Sequence, residues 1–335
     1  MSRLSPYRFH LYVSEGSIAF FLNTLIFCTV IARPNIRKRK EYVLIAGLCL
    51  ADALNALGTA GIGWHRLTLD PRKRVTTNAD CFFLFSMQLL IHSSMAQALM
   101  LLTVSVDRWL CVCFTLFYHG LDRRYVLALV SMAFGLPFIK WGAAYAAVTQ
   151  SPANVSSRCY FPSAITRPVY QVLLALISSL LYLYILYRYR KHTAQVNGSA
   201  YGGSLEQDQR RITISLGISC LFTFLLYVIP YLILLNRINA IAAYAVQLAT
   251  LNPILNFFIY FKRHSELREA LCCRKPAKPP VPVQVEMSLY HKAKARPDGK
   301  PILQRVVVRH EELPKASYLK AKDTAETGDC LPTVE

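Results

Sequence analysis

The stretch CFFLFSMQLLIHSSMAQALMLLTVSVDRW, residues 81–109, decides the fold class of this chain. Its part from Cys81 to Val106 contains no Lys, Arg, Asp or Glu over 26 residues. A helix of that length crosses the roughly 30 Å hydrocarbon core of a bilayer. Asp107 and Arg108 then lie side by side at one membrane face. The stretch therefore predicts a membrane helix that ends in a charged pair.

Six other apolar stretches accompany it in a chain of 335 residues. The chain is 54% hydrophobic and only 17% charged, with a mean hydropathy of +0.31, which excludes an ordinary soluble domain. Apolar runs predict seven spans, at residues 11–32, 42–65, 81–106, 125–148, 168–187, 212–236 and 240–261. We therefore predict an all-α membrane protein, with a seven-transmembrane helix bundle at residues 11–261.

The loops and termini predict the orientation. Residues 1–10 form a short N-terminal segment, and residues 274–335 are rich in Pro and Lys with few aromatic residues, which is typical of disorder. Lys and Arg are concentrated after the first, third and fifth spans and in the tail, so the N-terminus is predicted outside and the C-terminus in the cytoplasm. Attraction to anionic lipid explains the net charge of +19 without nucleic acid.

Several residues outside the spans are candidates for covalent modification. Cys81 and Cys159 are the two cysteines predicted on the oxidising outer side, so we expect them to form a disulfide. The sequon NVS at Asn154, in the same outer loop, predicts glycosylation. Cys272 and Cys273 follow the last span on the cytoplasmic side, where reversible palmitoylation and unmodified thiols both remain open.

Four polar side chains lie at similar depth inside the predicted spans, and we call them the polar hub. They are Asn23, Asp52, Asn252 and Asn256. Polar groups inside a bilayer are costly and are functional candidates by default. Two interpretations remain open: a hydrogen-bond cluster that fixes helix packing, and a cluster that rearranges between two states.

The order and depth of these motifs resemble a rhodopsin-class G-protein-coupled receptor over roughly residues 11–273. The matching motifs are Asn23, LCLAD at residues 48–52, DRW at residues 107–109 and NFFIY at residues 256–260. Arg263 and the stretch ELR at residues 266–268 resemble an amphipathic eighth helix, predicted at residues 262–273. The short N-terminus and residues 81–109 look most like nematode chemosensory serpentine receptors.

The resemblance implies a plasma-membrane receptor and not an enzyme. Its implied partners are an extracellular ligand and a heterotrimeric G protein, with membrane lipid, arrestin and a receptor kinase in addition. The residues implied in coupling and activation are Asp107, Arg108, Phe224, Pro230, Tyr260 and a fifth-helix tyrosine, Tyr182 or Tyr184. Asp107 is expected to pair with Arg108 at rest, and Pro230 to give the sixth helix a kink about which it swings.

The chain also departs from the family pattern. Trp109 replaces the usual Tyr, Val228 replaces the aromatic residue of the sixth helix, and Phe257 replaces the proline of the last motif. A second reading of that motif starts at Asn252, but only the reading that starts at Asn256 puts Tyr260 and the eighth helix in place. Arg210 and Arg211 occupy the region where many relatives have an acid that holds the arginine, so raised basal activity is a hypothesis.

A helical face of the third span predicts the ligand pocket. Spacing of about 100° per residue puts several side chains on the face that carries Arg108. The predicted pocket residues are Met87, Leu90, Ser94 and Gln97 from this face, with Tyr227 and Tyr231 from the sixth span. Leu90 cannot pair with an ammonium group where amine receptors have an Asp. The predicted ligand is therefore a non-amine small molecule or a peptide.

Two other classes of protein remain open. A seven-helix transporter normally shows internal repeats and helices broken at mid-membrane, and no repeat is found in this sequence. A receptor-like protein that scavenges or traffics without signalling is compatible with the altered motifs. The sequence predicts no cofactor or metal, because no His and Cys residues have the spacing of metal ligands and no nucleophile–base pair stands out.

Overall fold

A computed structural model describes residues 7–69, 75–150, 154–156, 159, 169–196, 214, 217–230, 232 and 239–272. Within these residues the chain is mostly helical. In chain order the elements are α1 (Tyr7–Ala32), α2 (Pro34–Arg37), α3 (Lys40–Thr68), β1 (Val75–Thr77), α4 (Asn78–Phe82), α5 (Phe85–Cys113), α6 (Thr115–Gly120), α7 (Arg123–Gly135), α8 (Pro137–Gln150), β2 (Asn154–Ser156), α9 (Val169–Val196), α10 (Gly217–Val228), α11 (Asn239–Arg263) and α12 (Ser265–Leu271). Tyr231, Cys273 and the predicted tail 274–335 lie outside the described residues.

Among the described helices, five are long and apolar enough to cross a membrane. They are α1, α3, α5, the combined helix Arg123–Gln150 and the segment Val169–Arg188. The helix α10 is apolar but shorter, in a region that the structure describes only in part. The chain is therefore a multi-pass membrane protein.

The first helices are longer than their predicted spans. α1 begins at Tyr7, inside the predicted N-terminal segment 1–10, because Phe9 is buried there and the Arg66 guanidinium lies 6.0 Å from its ring centroid. α5 begins at Phe85 and continues to Cys113, so the third span predicted at residues 81–106 is displaced. The cause is a separate short helix, α4, that precedes it.

A capping box fixes the start of α4. The Thr77 hydroxyl accepts a hydrogen bond from the Asp80 amide at 3.1 Å, and the Asp80 carboxylate accepts from the Thr77 amide at 3.1 Å. Hydrogen bonds from Thr77 and Thr76 lower the pKa of the Asp80 carboxyl, so this cap is formed at neutral pH. The cap separates α4 from α5.

The predicted fourth span is formed by two consecutive helices. α7 ends at Gly135 and α8 begins at Pro137, and together they make the apolar helix Arg123–Gln150. Proline has no amide hydrogen to donate, so one helical hydrogen bond is lost near this position. Lys140 lies inside α8 and is half-buried.

One end of the bundle is held by a disulfide and a two-stranded sheet. Cys81 and Cys159 are joined by the disulfide, with their Cα atoms 5.3 Å apart. β1 and β2 pair in antiparallel register, with Thr77 opposite Asn154. Both connections tie the loop before α9 to the segment that precedes α5.

α10 contains a π-helical turn at Phe224–Val228, immediately before Pro230. The amide of Ile229 donates to the Phe224 carbonyl, five residues back. Because Pro230 has no amide hydrogen to donate, the regular pattern of helical bonds is lost near this position. The widened turn re-pairs the backbone, and π turns of this kind occur frequently at functional sites.

α1 and α3 approach each other closely at Gly16. A Cβ atom at Gly16 would lie 2.7 Å from the Ala56 carbonyl oxygen and 2.8 Å from the Ala60 amide nitrogen. Both neighbours are backbone atoms that cannot turn away. Small residues are required where membrane helices make such contacts.

We predict that Gly16→Ala lowers the thermal stability of the purified protein, because the added methyl group forces α1 away from α3. Overpacking costs about 1–3 kcal/mol, against a gain of about 0.8 kcal/mol from the higher helix propensity of Ala. Gly142→Ala is the matched control, since a Cβ atom at Gly142 meets no other heavy atom within 4 Å. Thermal melting in detergent compares the two variants, and equal melting temperatures would contradict the packing argument.

Candidate functional site

Asp52 is the centre of the polar hub and is completely buried. The Gln97 amide donates to its Oδ1 at 2.5 Å, and the Asn256 amide donates to its Oδ2 at 3.3 Å. These bonds join α3, α5 and α11 at one carboxylate. Gln97, which the sequence suggests as a pocket residue, is thus a direct partner of the hub.

The two other hub residues contact the same region through different bonds. The Asn23 amide donates to the Ala19 carbonyl at 2.9 Å and to the Pro253 carbonyl at 3.2 Å. The Asn252 side-chain oxygen accepts from the Thr223 hydroxyl at 3.2 Å. Asn23 therefore joins α1 to the backbone of α11. The bond between Thr223 and Asn252 joins α10 to α11 through side chains.

Ser219 extends the hub toward Tyr260, and sequence reasoning missed it. Its hydroxyl donates to the Asn256 side-chain oxygen at 2.5 Å, and it lies 3.4 Å from the Tyr260 hydroxyl. Since the single Ser219 proton goes to Asn256, the Tyr260 hydroxyl is the donor in the second contact. A serine in an apolar stretch is common, so the sequence contained no specific signal for this role.

A small cavity borders the hub. Its lining includes Asp52, Gln97, Thr223, Tyr227 and Asn256. The cavity has room for about one water molecule. Apolar side chains such as Leu48, Ala98 and Leu101 complete the lining, and the space leaves the polar side chains room to change partners.

Asp107 and Arg108 form a buried ion pair near the C-terminal end of α5, and both side chains are fully buried. The Arg108 Nε donates to Asp107 Oδ2 at 3.0 Å, and Nη2 donates to the same oxygen at 2.5 Å. The other carboxylate oxygen, Oδ1, has no hydrogen-bond partner among the described residues. Buried charges require such pairing, since an unpaired one is strongly destabilising.

Tyr118, from the short helix α6, covers this ion pair and was not anticipated from the sequence. Its hydroxyl accepts from Arg108 Nη2 at 2.9 Å and donates to Asp107 Oδ2 at 3.3 Å. The side chain is only 3% exposed, and this burial raises the pKa of its hydroxyl, which therefore keeps its proton. The contact depends on a chain reversal at Phe114, which no local pattern in the sequence indicates.

The two candidate tyrosines of the fifth helix have different environments. Tyr182 is 2% exposed and its ring lies next to Gly217 of α10, whereas Tyr184 is 46% exposed. Only Tyr182 therefore faces the interior of the bundle. Tyr260 of α11 is also completely buried.

The described residues of the predicted pocket lie in different environments. Met87 is buried with the apolar cluster around the Cys81–Cys159 disulfide, and Leu90 packs against that cluster. The Ser94 hydroxyl accepts from the Gln171 amide of α9 at 2.8 Å. Tyr227 lines the hub cavity, and Tyr231 lies outside the described residues.

A short helix follows α11. The helix α12 spans Ser265–Leu271, shorter than the predicted 262–273. Arg39 forms an ion pair with Glu266 at 2.9 Å. Burial and the neighbouring Arg263 lower the pKa of His264 to about 4, so this side chain is neutral where it packs against the Tyr42 ring. Cys272 is exposed at the end of the helix.

A comparison with protein families matches residues 17–273 to the family described as "Serpentine type 7TM GPCR chemoreceptor Srsx". The match covers most of the 335-residue chain and includes the polar hub, the buried ion pair and α12. A comparison with curated proteins found no match.

We predict that Ser219→Ala destabilises the protein by about 0.5–2 kcal/mol, because Asn256 loses its donor inside the bundle. The measurement is the thermal melting temperature in detergent. Ser14→Ala is the matched control, since it removes the same hydroxyl from an exposed position where the bond is made within one helix. If the two variants melt alike, Ser219 has no stabilising role in the hub.

Proposed function

Because this chain belongs to the Srsx family of serpentine seven-transmembrane chemoreceptors, we propose that it binds an extracellular ligand and activates a heterotrimeric G protein through movement of its sixth helix. Membership of the family confirms the resemblance to chemosensory serpentine receptors and gives the chain a receptor role. The observation that carries the coupling proposal is the buried Asp107–Arg108 ion pair at the cytoplasmic end of α5.

In this proposal the ion pair is the resting state of the coupling site. The Arg108 guanidinium is completely buried and points to a carboxylate of its own helix. A rearrangement that turns Arg108 toward the cytoplasm would expose a cation and open space between the helices. A G-protein helix could then enter the cleft, as amphipathic helices enter grooves in other complexes. The free-energy difference between two such packings is a few kcal/mol.

The sixth helix has the structural means to move. The regular hydrogen bonding of this helix is weakened in one short segment, at the π-helical turn Phe224–Val228 and at Pro230. Motion about this segment would displace Ser219, which contacts both Asn256 and Tyr260. The contacts from Asp52 through Asn256 to Ser219 and Tyr260 support a route by which hub rearrangement changes packing near the cytoplasm. We assign the hub to switching for this reason.

We propose the orientation with the N-terminus outside and the C-terminus in the cytoplasm of the plasma membrane. The disulfide supports it, because the oxidised pair then lies in the extracellular space. Asn154 of β2 is on that side and is a proposed glycosylation site. Exposed Cys272 and the adjacent Cys273 are proposed palmitoylation sites on the cytoplasmic side, beside α12 as the amphipathic eighth helix. Residues 274–335 are proposed as a disordered tail.

The ligand proposal concerns the outer half of the bundle. The pair Ser94–Gln171 joins α5 to α9 there by a neutral hydrogen bond. Leu90 lies one turn nearer the outside and packs against Gly58 of α3. This environment supports a non-amine small molecule or a peptide as ligand. Arrestin, a receptor kinase and membrane lipid are proposed as further partners, and no catalytic activity is proposed.

We predict that Arg108→Ala reduces G-protein activation to the level of mock-transfected cells, because the coupling cation is removed. The measurement is a panel of G-protein activation assays at equal surface expression. Arg33→Ala is the control, since Arg33 is an exposed arginine between α1 and α2. Arg108→Lys keeps a charge beside Asp107 but loses the planar fork, and we expect it to fold and to lose most of the output.

The same panel distinguishes the alternative functions. Output that persists in both Arg108 variants would exclude the coupling role of this residue. A protein that scavenges or traffics without signalling would show no output in the wild type and normal internalisation in the Arg108 variants. The altered residues Trp109, Val228 and Phe257 are the reason to include this comparison.

We predict basal G-protein output above mock cells in the absence of ligand. Arg210 and Arg211 cannot supply an acid to hold Arg108. We expect Arg210→Glu or Arg211→Glu to lower this output, and Arg188→Glu, a charge change at the end of the fifth span, to leave it unchanged. Basal output equal to that of mock cells, at confirmed surface expression, would contradict the hypothesis.

A further inference from the structure

The loop helix α6 is attached to the start of α3 by one lysine. The Lys40 ammonium donates to the Leu121 carbonyl at 2.7 Å and to the Tyr118 carbonyl at 3.2 Å. It also lies 4.4 Å from the centroid of the Tyr118 ring. Carbonyls at the end of a helix attract cations, and the Tyr118 carbonyl also accepts from the Leu121 amide at 3.2 Å. Lys40 therefore pairs with the Leu121 carbonyl, is a second donor to the Tyr118 carbonyl and contacts the ring of this buried tyrosine.

The tyrosine that Lys40 contacts is the one that covers the ion pair. Tyr118 exchanges hydrogen bonds with both Arg108 and Asp107. Its hydroxyl and the Arg108 guanidinium converge on the same carboxylate oxygen. A displacement of α6 would remove one acceptor from the guanidinium and one donor from the carboxylate. The position of α6 thus affects the stability of the buried pair.

Neighbouring cations have different surroundings. Arg39 pairs with Glu266 of α12, and Lys38 is exposed. Lys40 is half-buried and is directed at α6. The contacts of Lys40 are therefore specific to its position and do not follow from the general basic character of this membrane face.

We propose that Lys40 is a positioning residue that holds the loop helix α6, and through it the Tyr118 hydroxyl, against the Asp107–Arg108 pair. Its consequence for signalling rests on the proposed function: release of α6 favours release of Arg108 and raises basal output. Lys40 touches neither charged partner in this scheme and acts through Tyr118.

Hydrogen exchange of the full-length protein in lipid nanodiscs tests the hold on α6. We expect Lys40→Met to accelerate exchange of the amides in residues 115–121 by about tenfold, the effect of losing a charge-assisted hydrogen bond. Lys38→Met, the matched control two residues earlier, should leave these amides unchanged. Tyr118→Phe should accelerate exchange of these amides as well, because the hydroxyl's bonds to Arg108 and Asp107 anchor the same helix. Equal exchange in Lys40→Met and wild type would overturn the proposal.

A double-mutant cycle tests whether Lys40 acts through the Tyr118 hydroxyl. Melting temperatures of Lys40→Met, Tyr118→Phe and the double variant should be non-additive, since both single changes weaken the same contact with the ion pair. Additive effects would overturn the proposal. Both single variants should raise basal output by about twofold or more, and the double variant should not exceed Tyr118→Phe.

The stability measurements (hydrogen exchange and melting) and the G-protein output distinguish the role of Lys40 from the proposed coupling. Faster exchange and coupled melting, with no G-protein output from any variant or from wild type, would contradict the proposed coupling and leave the role of Lys40 standing. Normal output in wild type that is unchanged in Lys40→Met, at equal surface expression, would contradict the role of Lys40 and leave the coupling standing.

Discussion

The buried ion pair between Asp107 and Arg108 is the constraint on which the end of the bundle near α6 depends. A guanidinium removed from water needs a charged partner and further hydrogen bonds. The adjacent carboxylate supplies the charge, and the Tyr118 hydroxyl supplies an additional acceptor. The loop helix α6 must therefore place Tyr118 against the end of α5, and Lys40 pairs with the Leu121 carbonyl at the end of α6.

The polar hub follows the same rule at the middle of the bundle. Asp52 is completely buried and accepts hydrogen bonds from two different helices, α5 and α11. The two side chains that donate to Asp52 also accept hydrogen bonds through their oxygen atoms. Asn256 accepts from Ser219, and Gln97 accepts from Asn55. Satisfied polar groups stabilise one arrangement, and several donors within reach of one another make a second arrangement accessible. This combination supports the proposal that the hub switches between two states.

The comparison of sequence and structure shows which kind of contact a pattern can predict. Asn23, Asp52 and Asn256 stand out because polar residues are rare in apolar spans, and membership of the chemoreceptor family agrees with the resemblance that they carry. Helical spacing places Gln97 on the predicted pocket face, but it does not predict which neighbour the side chain contacts. In the structure the Gln97 amide donates to Asp52. No sequence pattern indicates the roles of Ser219, Tyr118 and Lys40, since their residue types are ordinary in the segments where they occur. Their roles arise only where the chain brings distant segments together.

The sequence by itself determined the membrane class, the receptor family and the charged pair at the end of the third span. The physical reason is that a helix must be long and apolar to cross a bilayer, so such helices are read directly from residue type. Tertiary structure decided the contacts between distant segments: the cover of Arg108 by Tyr118, the bond of Lys40 to the Leu121 carbonyl, and the bond of Ser219 to Asn256. These features depend on which backbone and side-chain groups remain unpaired once the helices have packed, and that is a property of their three-dimensional arrangement.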